Sequence, residues 1–325
     1  MNYSNYGRTE LRCSKLILGT GRGAGTFVEG EADAQLALLT RAVELGLNWL
    51  DTARQYGDGK SETNIGRCLT KMAAEPIIST KFGIQAEDLS DIPGAIERGL
   101  YESLERLGLD RIDLFQMHDF ISDEPGPRNI SPDEILKPNG VVDGLVRLKD
   151  AGVIRATGFT AKGQSSALLR LAESGAFDSA QVFYNMLNPS AGQEMPTAWE
   201  GQNFGGLIGA LRKHGTGVMA VRVFAAGVLA TDLRTGRESA QYENADISTE
   251  ERRARAVFGL LGDDHGTKAQ TAVRFCLANP DIDTVNVGVF DTAQLEEAVK
   301  ATDMGPLPAE VLQALEPLYA ENFKF

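Results

Sequence analysis

The chain is predicted to fold as a (β/α)8 TIM barrel, one domain in which a closed parallel sheet is ringed by helices. Three observations predict it. Apolar runs rich in β-branched residues alternate eight times with amphipathic helical patterns, without a shift of composition between the halves. The length, 325 residues, is within the range of a single barrel of this kind. Polar residues also recur at the ends of the apolar runs: Asp51 after LGLNWL, Lys81 after PIIST and His118 after IDLFQM, with Tyr56 in the turn beyond Asp51. Their separations, 30 residues and then 37, are each about one strand–helix unit. A doubly wound open sheet is the rival, but eight regular repeats favour closure. The glycines of GTGRGAG (19–25) have the wrong spacing for a Rossmann phosphate turn and lead into TFVEGEA rather than a helical pattern.

The elements follow in order. KLILGT (15–20) is the first strand, and the stretch before it can form a hairpin across the barrel floor. A helix over 32–46 ends at Gly46, a C′ glycine. Strand two is NWLDTA (48–53); its helix, 61–72, begins at Ser61 with an incomplete capping box, since Asn64 stands where Glu is preferred. Strand three is 76–82, with a helix from Pro93 to about Gly108; strand four is 112–119, with a helix over 141–152. Strands five, six and seven are 153–161, 179–185 and 217–224; helices over 165–175 and 204–215 follow the first two. The seventh helix is 268–278, the eighth strand 283–290 and the eighth helix 292–301, with an additional helix over 309–322. Two long connections are expected on the rim. The segment near 120–140 holds Pro125, Gly126, Pro127, Pro132 and Pro138, which break any continuous helix, and the other spans about 225–267.

A net charge of −13 argues against a protein that tracks phosphate backbones, and the basic run ERRAR (251–255) reads as a solvated helix face. No stretch reaches the roughly 18 apolar residues of a membrane span. The N-terminal MNYSNYGRTELRCS lacks the apolar core of a secretion signal, and Cys13, Cys68 and Cys276 form no CxxC pair. A cytoplasmic enzyme with reduced thiols is the expectation. Three histidines and the lack of HxH or HExxH argue against a metal-dependent barrel hydrolase or isomerase, so no metal is assigned.

On a parallel barrel the strand ends share one rim, so Asp51, Tyr56, Lys81 and His118 are expected to converge there. Singly, each has a plainer reading: a cap or ion-pair partner for Asp51, loop packing for Tyr56, a solvated amine for Lys81. His118 stands out because it ends an apolar run, whereas His214 and His265 lie in polar surroundings. Together they suit hydride chemistry at a carbonyl. Adding hydride puts negative charge on oxygen, which calls for an acid. A free phenol has a pKa of about 10, an adjacent ammonium lowers it, a carboxylate holds the ammonium, and an imidazole can share the oxyanion.

LGLNWLDTARQYGDGKSETNIGRCL resembles the aldo-keto reductase signature of Asp-Thr-Ala, Tyr-Gly and Ser-Glu, and STKFG and DLFQMHD resemble its lysine and histidine segments. LVRLKDAGVIRATGFTA and VFYNMLN match later blocks in order, so the resemblance covers nearly the whole chain. It implies an NAD(P)-dependent oxidoreductase with Tyr56 as proton donor, supported by Asp51, Lys81 and His118. HD after QM and GFTA in place of a Ser-Asn form look like the branch of L-galactose and aldose dehydrogenases, which adds sugars to the carbonyl and alcohol substrates expected. The alternative is a cofactor-binding regulatory subunit resembling the potassium-channel β subunits.

The resemblance also places the cofactor contacts. Gly19 and Thr20 close the first strand. Thr160-Ala161 stands where a Ser-Asn pair commonly holds the nicotinamide amide, so one side-chain contact is missing, while Gln181 matches the family's glutamine. Thr160 equally fits a buried strand residue. Val221-Arg222-Val223 replaces an aromatic-Ser-Pro block; Arg222 then either reaches the pyrophosphate or forms an ion pair on the rim. Gly288, Asp291, Gln294 and Glu297 fall at the adenosine end, in a segment without Lys or Arg. NADP is the family's usual cofactor, but carboxylates there disfavour a 2′-phosphate and lean the expectation towards NAD.

Overall fold

The computed structural model describes residues 1–21, 25–124, 126, 129–234, 236, 238 and 246–324. Eight parallel strands close a barrel: β1 Leu16–Gly19, β2 Trp49–Asp51, β3 Ile77–Phe82, β4 Ile112–Met117, β5 Ile154–Thr160, β6 Ser179–Phe183, β7 Gly217–Val221 and β8 Thr284–Gly288. Closure is made by β8 on β1, where Val285, Asn286, Val287 and Gly288 pair with Leu16, Ile17, Leu18 and Gly19. Covered by helices outside and packed inside, such strands are buried on both faces, which is why they appear as unbroken apolar runs.

The helix Ile92–Leu107 illustrates how the outer layer is encoded. Ile92, Ile96, Leu100, Leu104 and Leu107 recur at helical spacing and are all buried. Fully burying each is worth roughly 1.5–3 kcal/mol. Asp91 caps it by accepting from Gly94 N, and Gly108, at φ 67°, ends it in the left-handed region.

The floor is plugged by the expected hairpin, Tyr3–Asn5 against Arg12–Ser14. Tyr6, in its turn, is fully buried, hydrogen-bonds Ser179 Oγ at 2.6 Å and meets the Trp49 ring edge-on at 4.9 Å. A Cβ on Gly217 would stand 2.7 Å from that phenol ring, so glycine is needed there for the plug to seat. With the barrel interior filled at this end, its mouth lies at the C-terminal ends of the strands.

Two expectations need correction. The connection after β7 is not loop throughout: Ile247–Leu261 is a helix, capped by Asp246 and burying Glu250, Ala254, Val257 and Leu261. Its charged run ERRAR masks a four–three–four spacing of inward positions. Ser61 does not start the helix after β2. That helix is Lys60–Leu69, Gly59 precedes it at φ 85°, and the Ser61 hydroxyl bonds inward to Thr20 and Thr52. The connection after β4 contains a short parallel pairing of Phe120–Ile121 with Asn129–Ile130 and a turn of helix, Pro132–Leu136. Pro125 and Pro127, and part of the GTGRGAG segment, lie outside the described residues. Among the described residues no helix is long and apolar enough to cross a membrane.

Candidate active site

Asp51 is the last residue of β2, Lys81 lies near the end of β3, and His118 directly follows β4. All three stand on the rim opposite the Tyr6 plug, and Tyr56 comes from the turn after β2.

Asp51 is the hub. Its Oδ1 accepts from Ser79 Oγ and Gln181 Nε2, both at 2.7 Å. Its Oδ2 accepts from Lys81 Nζ at 2.8 Å and Asn286 Nδ2 at 2.9 Å. Four donors from β3, β6 and β8 thus fix one carboxylate in the barrel mouth. Asn286 reaches it past Gly19, where a Cβ would collide with its amide oxygen. The Thr20 hydroxyl is fully buried and donates to the Asp51 carbonyl at 3.0 Å, so it buttresses β2 from within.

Lys81 has no solvent exposure. An ammonium has three hydrogens, and here they meet Asp51 Oδ2 at 2.8 Å, Thr52 O at 2.8 Å and, more loosely, the Tyr56 hydroxyl at 3.4 Å. Burial works against the charge, but Asp51 and Tyr56 outweigh it, and the Lys81 pKa is raised.

Tyr56 departs from the sequence argument in one respect. Lys81 pulls its pKa down as expected, yet burial pushes harder and the net direction is up. The resting group is therefore the neutral phenol, proton in place. An alkoxide is a stronger base than a phenolate, so a developing alkoxide can still take that proton.

His118 faces Tyr56 edge-on with ring centroids 5.9 Å apart. Burial, then the charges of Lys81 and Lys162, drive its pKa down to about 3, so the ring is neutral at physiological pH. Its Nδ1 lies 3.2 Å from Gln55 Oε1. The orientation of that amide sets which nitrogen holds the proton: an amide N–H turned towards Nδ1 leaves Nε2–H as the donor.

The remaining predicted residues are spread along the rim. Thr160 ends β5 and pairs in register with Gln181 of β6. Its Oγ1 is buried without a hydrogen-bond partner among the described residues. Gln181 is itself buried, with its amide nitrogen on Asp51. Arg222 follows β7 at φ 63°, and its charge pulls down the pKa of Glu250, which burial raises overall. Gly288 is exposed at the end of β8. Asp291 caps the helix Thr292–Met304 by accepting from Gln294 N at 2.9 Å, and Gln294 Oε1 accepts from Phe290 N at 2.9 Å. Glu297 is half-buried on the same helix.

The sequence reading passed over Ser79, Asn286 and Gln55, and used Asp119 only as part of the HD that carries the resemblance. Polar residues inside otherwise apolar strands are a usable signal for Ser79 and Asn286. Asp119 is 9 % exposed, and burial lifts its pKa to about 7. Because this folded value lies above the unfolded one, Asp119 contributes stability at low pH that is lost as pH rises from about 4 through 7. Asp119→Asn removes that dependence. Its stability relative to the parent should rise by roughly 3 kcal/mol between pH 5 and pH 8 in urea denaturation; a constant gap would contradict the shift.

Comparison with known proteins places the chain in a family. The family model described as the aldo/keto reductase family matches residues 15–320. L-galactose dehydrogenase of Arabidopsis thaliana is 26 % identical over 96 % of this chain and 93 % of its own. D-threo-aldose 1-dehydrogenase of a Pseudomonas species is 29 % identical over 82 % of each. An aldo-keto reductase of Bacillus halodurans, solved in a holo form, shares the fold with a TM-score of 0.73 at 22 % identity, covering 98 % of this chain and 96 % of that one. With a closed eight-stranded barrel and a match over nearly its full length, the chain belongs to the aldo/keto reductase family of NAD(P)-dependent oxidoreductases.

Proposed function

We propose that the protein transfers a hydride between nicotinamide and a small carbonyl, alcohol or sugar, with Tyr56 giving the proton to oxygen in reduction and taking it back in oxidation. The observation that carries this is the placement of the Lys81 ammonium, held by Asp51 and Thr52 O with the Tyr56 phenol as its third neighbour. As the proton leaves, charge grows on the phenol oxygen beside a fixed cation, which needs little reorganisation. With the Gln55 amide turned so that its N–H faces Nδ1, the neutral His118 keeps the proton on Nε2, which orients the carbonyl by a hydrogen bond and shares the oxyanion.

The cofactor, when bound, supplies or accepts the hydride. The unmatched Thr160 hydroxyl, in register with Gln181 at the ends of β5 and β6, fits an amide group. Gly19 and Thr20, at the end of β1 across the barrel from β5, are assigned to the cofactor on the opposite wall. Arg222 is assigned to the pyrophosphate, in exchange for its electrostatic tie to Glu250. Gly288, Asp291, Gln294 and Glu297 are assigned to the adenosine end. Without a cation there to meet a 2′-phosphate, NAD should serve at least comparably to NADP. A hundredfold preference for NADP in kcat/KM, about 2.7 kcal/mol, would overturn that preference.

The test of the reaction is a screen of aldehydes, ketones and aldoses with both cofactors, in both directions, followed by nicotinamide absorbance. Turnover of aldoses would favour the sugar dehydrogenase-like reading. Cofactor binding without turnover of any of them would return the protein to the alternative of a cofactor-binding regulatory subunit.

A further inference from the structure

The proposed chemistry needs the Tyr56 phenol, carried on a turn, to meet the Lys81 ammonium, carried on β3. Inside the barrel Asp51 holds the ammonium, but the phenol's own bond to it is long, 3.4 Å. A hydrogen bond of that length is lost with little further separation. Whatever seats the turn against β3 therefore decides how well the acid works. On the outer side of the barrel a second buried carboxylate, Glu62, joins the two elements.

Glu62 lies in the first turn of the helix Lys60–Leu69, which continues from the Tyr56 turn, and its side chain has no exposure. Its Oε1 accepts from Thr80 Oγ1 at 2.5 Å, and its Oε2 accepts from Arg106 Nε at 2.6 Å. Ser79 and Lys81 both bond Asp51 inside the barrel, so Thr80 between them faces outward. One carboxylate thus bonds the strand that presents the ammonium to the helix that follows the phenol. Arg106 completes the clamp. Its Cδ lies under Gly59, the last residue of the turn, where a Cβ would stand 2.7 Å away. Gly59 in turn donates to Arg54 O at 2.8 Å. On the other side of Tyr56, Arg54 Nε is 3.4 Å from Glu102 Oε2, one helical turn before Arg106. The helix Ile92–Leu107 therefore grips the turn on both sides of Tyr56.

We propose that Glu62 and Arg106 are positioning residues for Tyr56: their ion pair, anchored to Thr80, seats the turn so that the phenol stays within reach of Lys81. The inference rests on the reading of Tyr56 as the acid and deepens it by naming what holds that acid in place. A buried ion pair adds little net stability over apolar side chains of similar volume, whereas its directed bonds fix a geometry. With the clamp broken the turn relaxes outward, and Tyr56 moves away from the cation that draws its pKa down. The phenol becomes a weaker acid and its oxygen loses the nearby positive charge, so proton transfer slows. The residues assigned to the cofactor are not part of the clamp, so cofactor affinity is retained.

The experiment measures kcat for glyceraldehyde reduction, its pH profile and the NADH and NADPH dissociation constants. The variants are Arg106→Met and the pair Glu62→Gln with Arg106→Met, each made with Tyr56 in place and in a Tyr56→Phe background. The pair keeps an amide oxygen for Thr80 and strands no charge, so it carries the test should Arg106→Met fail to fold. With Tyr56 in place, kcat is expected at least tenfold lower, cofactor affinity within threefold of the parent, and the alkaline limb of the profile moved to higher pH. In the Tyr56→Phe background the same changes should alter kcat by less than twofold, since no phenol remains to be misplaced. A merely structural role would lower kcat by the same factor in both backgrounds and leave the limb where it was. That result, or kcat within twofold of the parent while Tyr56 is present, overturns the clamp. Parent-like turnover in Tyr56→Phe alone, or no turnover in the parent, marks a failure of the reading of Tyr56 itself, and the clamp falls with it.

Discussion

Tyr56→Phe is expected to lower kcat by about 10²–10⁴ while leaving cofactor affinity within threefold of the parent. Only one oxygen is removed. The ring keeps its edge-on packing against His118, and Lys81 keeps both of its 2.8 Å acceptors. The lost contact is the long one, 3.4 Å, so stability should change by no more than about 1 kcal/mol. Steady-state turnover, a fluorescence titration of the cofactor and a urea melt separate the three quantities. Because burial raises the Tyr56 pKa, the parent's reductive rate should hold through neutral pH and decline only in the alkaline range. Parent-like turnover in Tyr56→Phe would remove the phenol from its assigned role.

Much of the barrel was legible because its information is local. A strand covered on both faces must be apolar along its length, and an outer helix must repeat its apolar positions at helical spacing; both patterns are readable residue by residue. Of the helix over 247–261 only the charged outer face, ERRAR, was legible, because its charges dilute the signal of the inward positions. The convergence of Asp51, Lys81 and His118 was also legible, since parallel strands deliver their C-terminal ends to one rim. Contacts set by closure were not. Asn286 reaches Asp51 across 235 residues of sequence, through a seam that exists only once β8 meets β1. The direction of the Tyr56 pKa was misjudged for a similar reason: a neighbouring cation can be anticipated from sequence spacing, whereas the depth of burial that outweighs it cannot.

That balance of charge and burial is tested most sharply at Lys81 and Asp51. The pair is almost completely buried, with side chains 0 % and 3 % exposed. Lys81→Met leaves the Asp51 carboxylate with Ser79, Gln181 and Asn286 as neutral donors and no counter-charge, at an expected cost of about 3–5 kcal/mol. Asp51→Asn strands the ammonium in the same way. The double variant has neither charge, so it should be markedly less destabilised than the two single losses added together, with a coupling of about 2 kcal/mol or more. Activity should follow a different pattern, with kcat at least a hundredfold down in both Lys81→Met backgrounds, because the phenol has lost the cation that steadies its developing charge. The His118 pKa should also rise in Lys81→Met, since that ammonium is one of the charges holding it near 3. Urea denaturation and kcat across the four proteins give both cycles. Strictly additive stabilities would mean that the buried ion pair is not the unit that holds this rim together. Recovery of turnover in the double variant would mean that Tyr56 does not depend on Lys81.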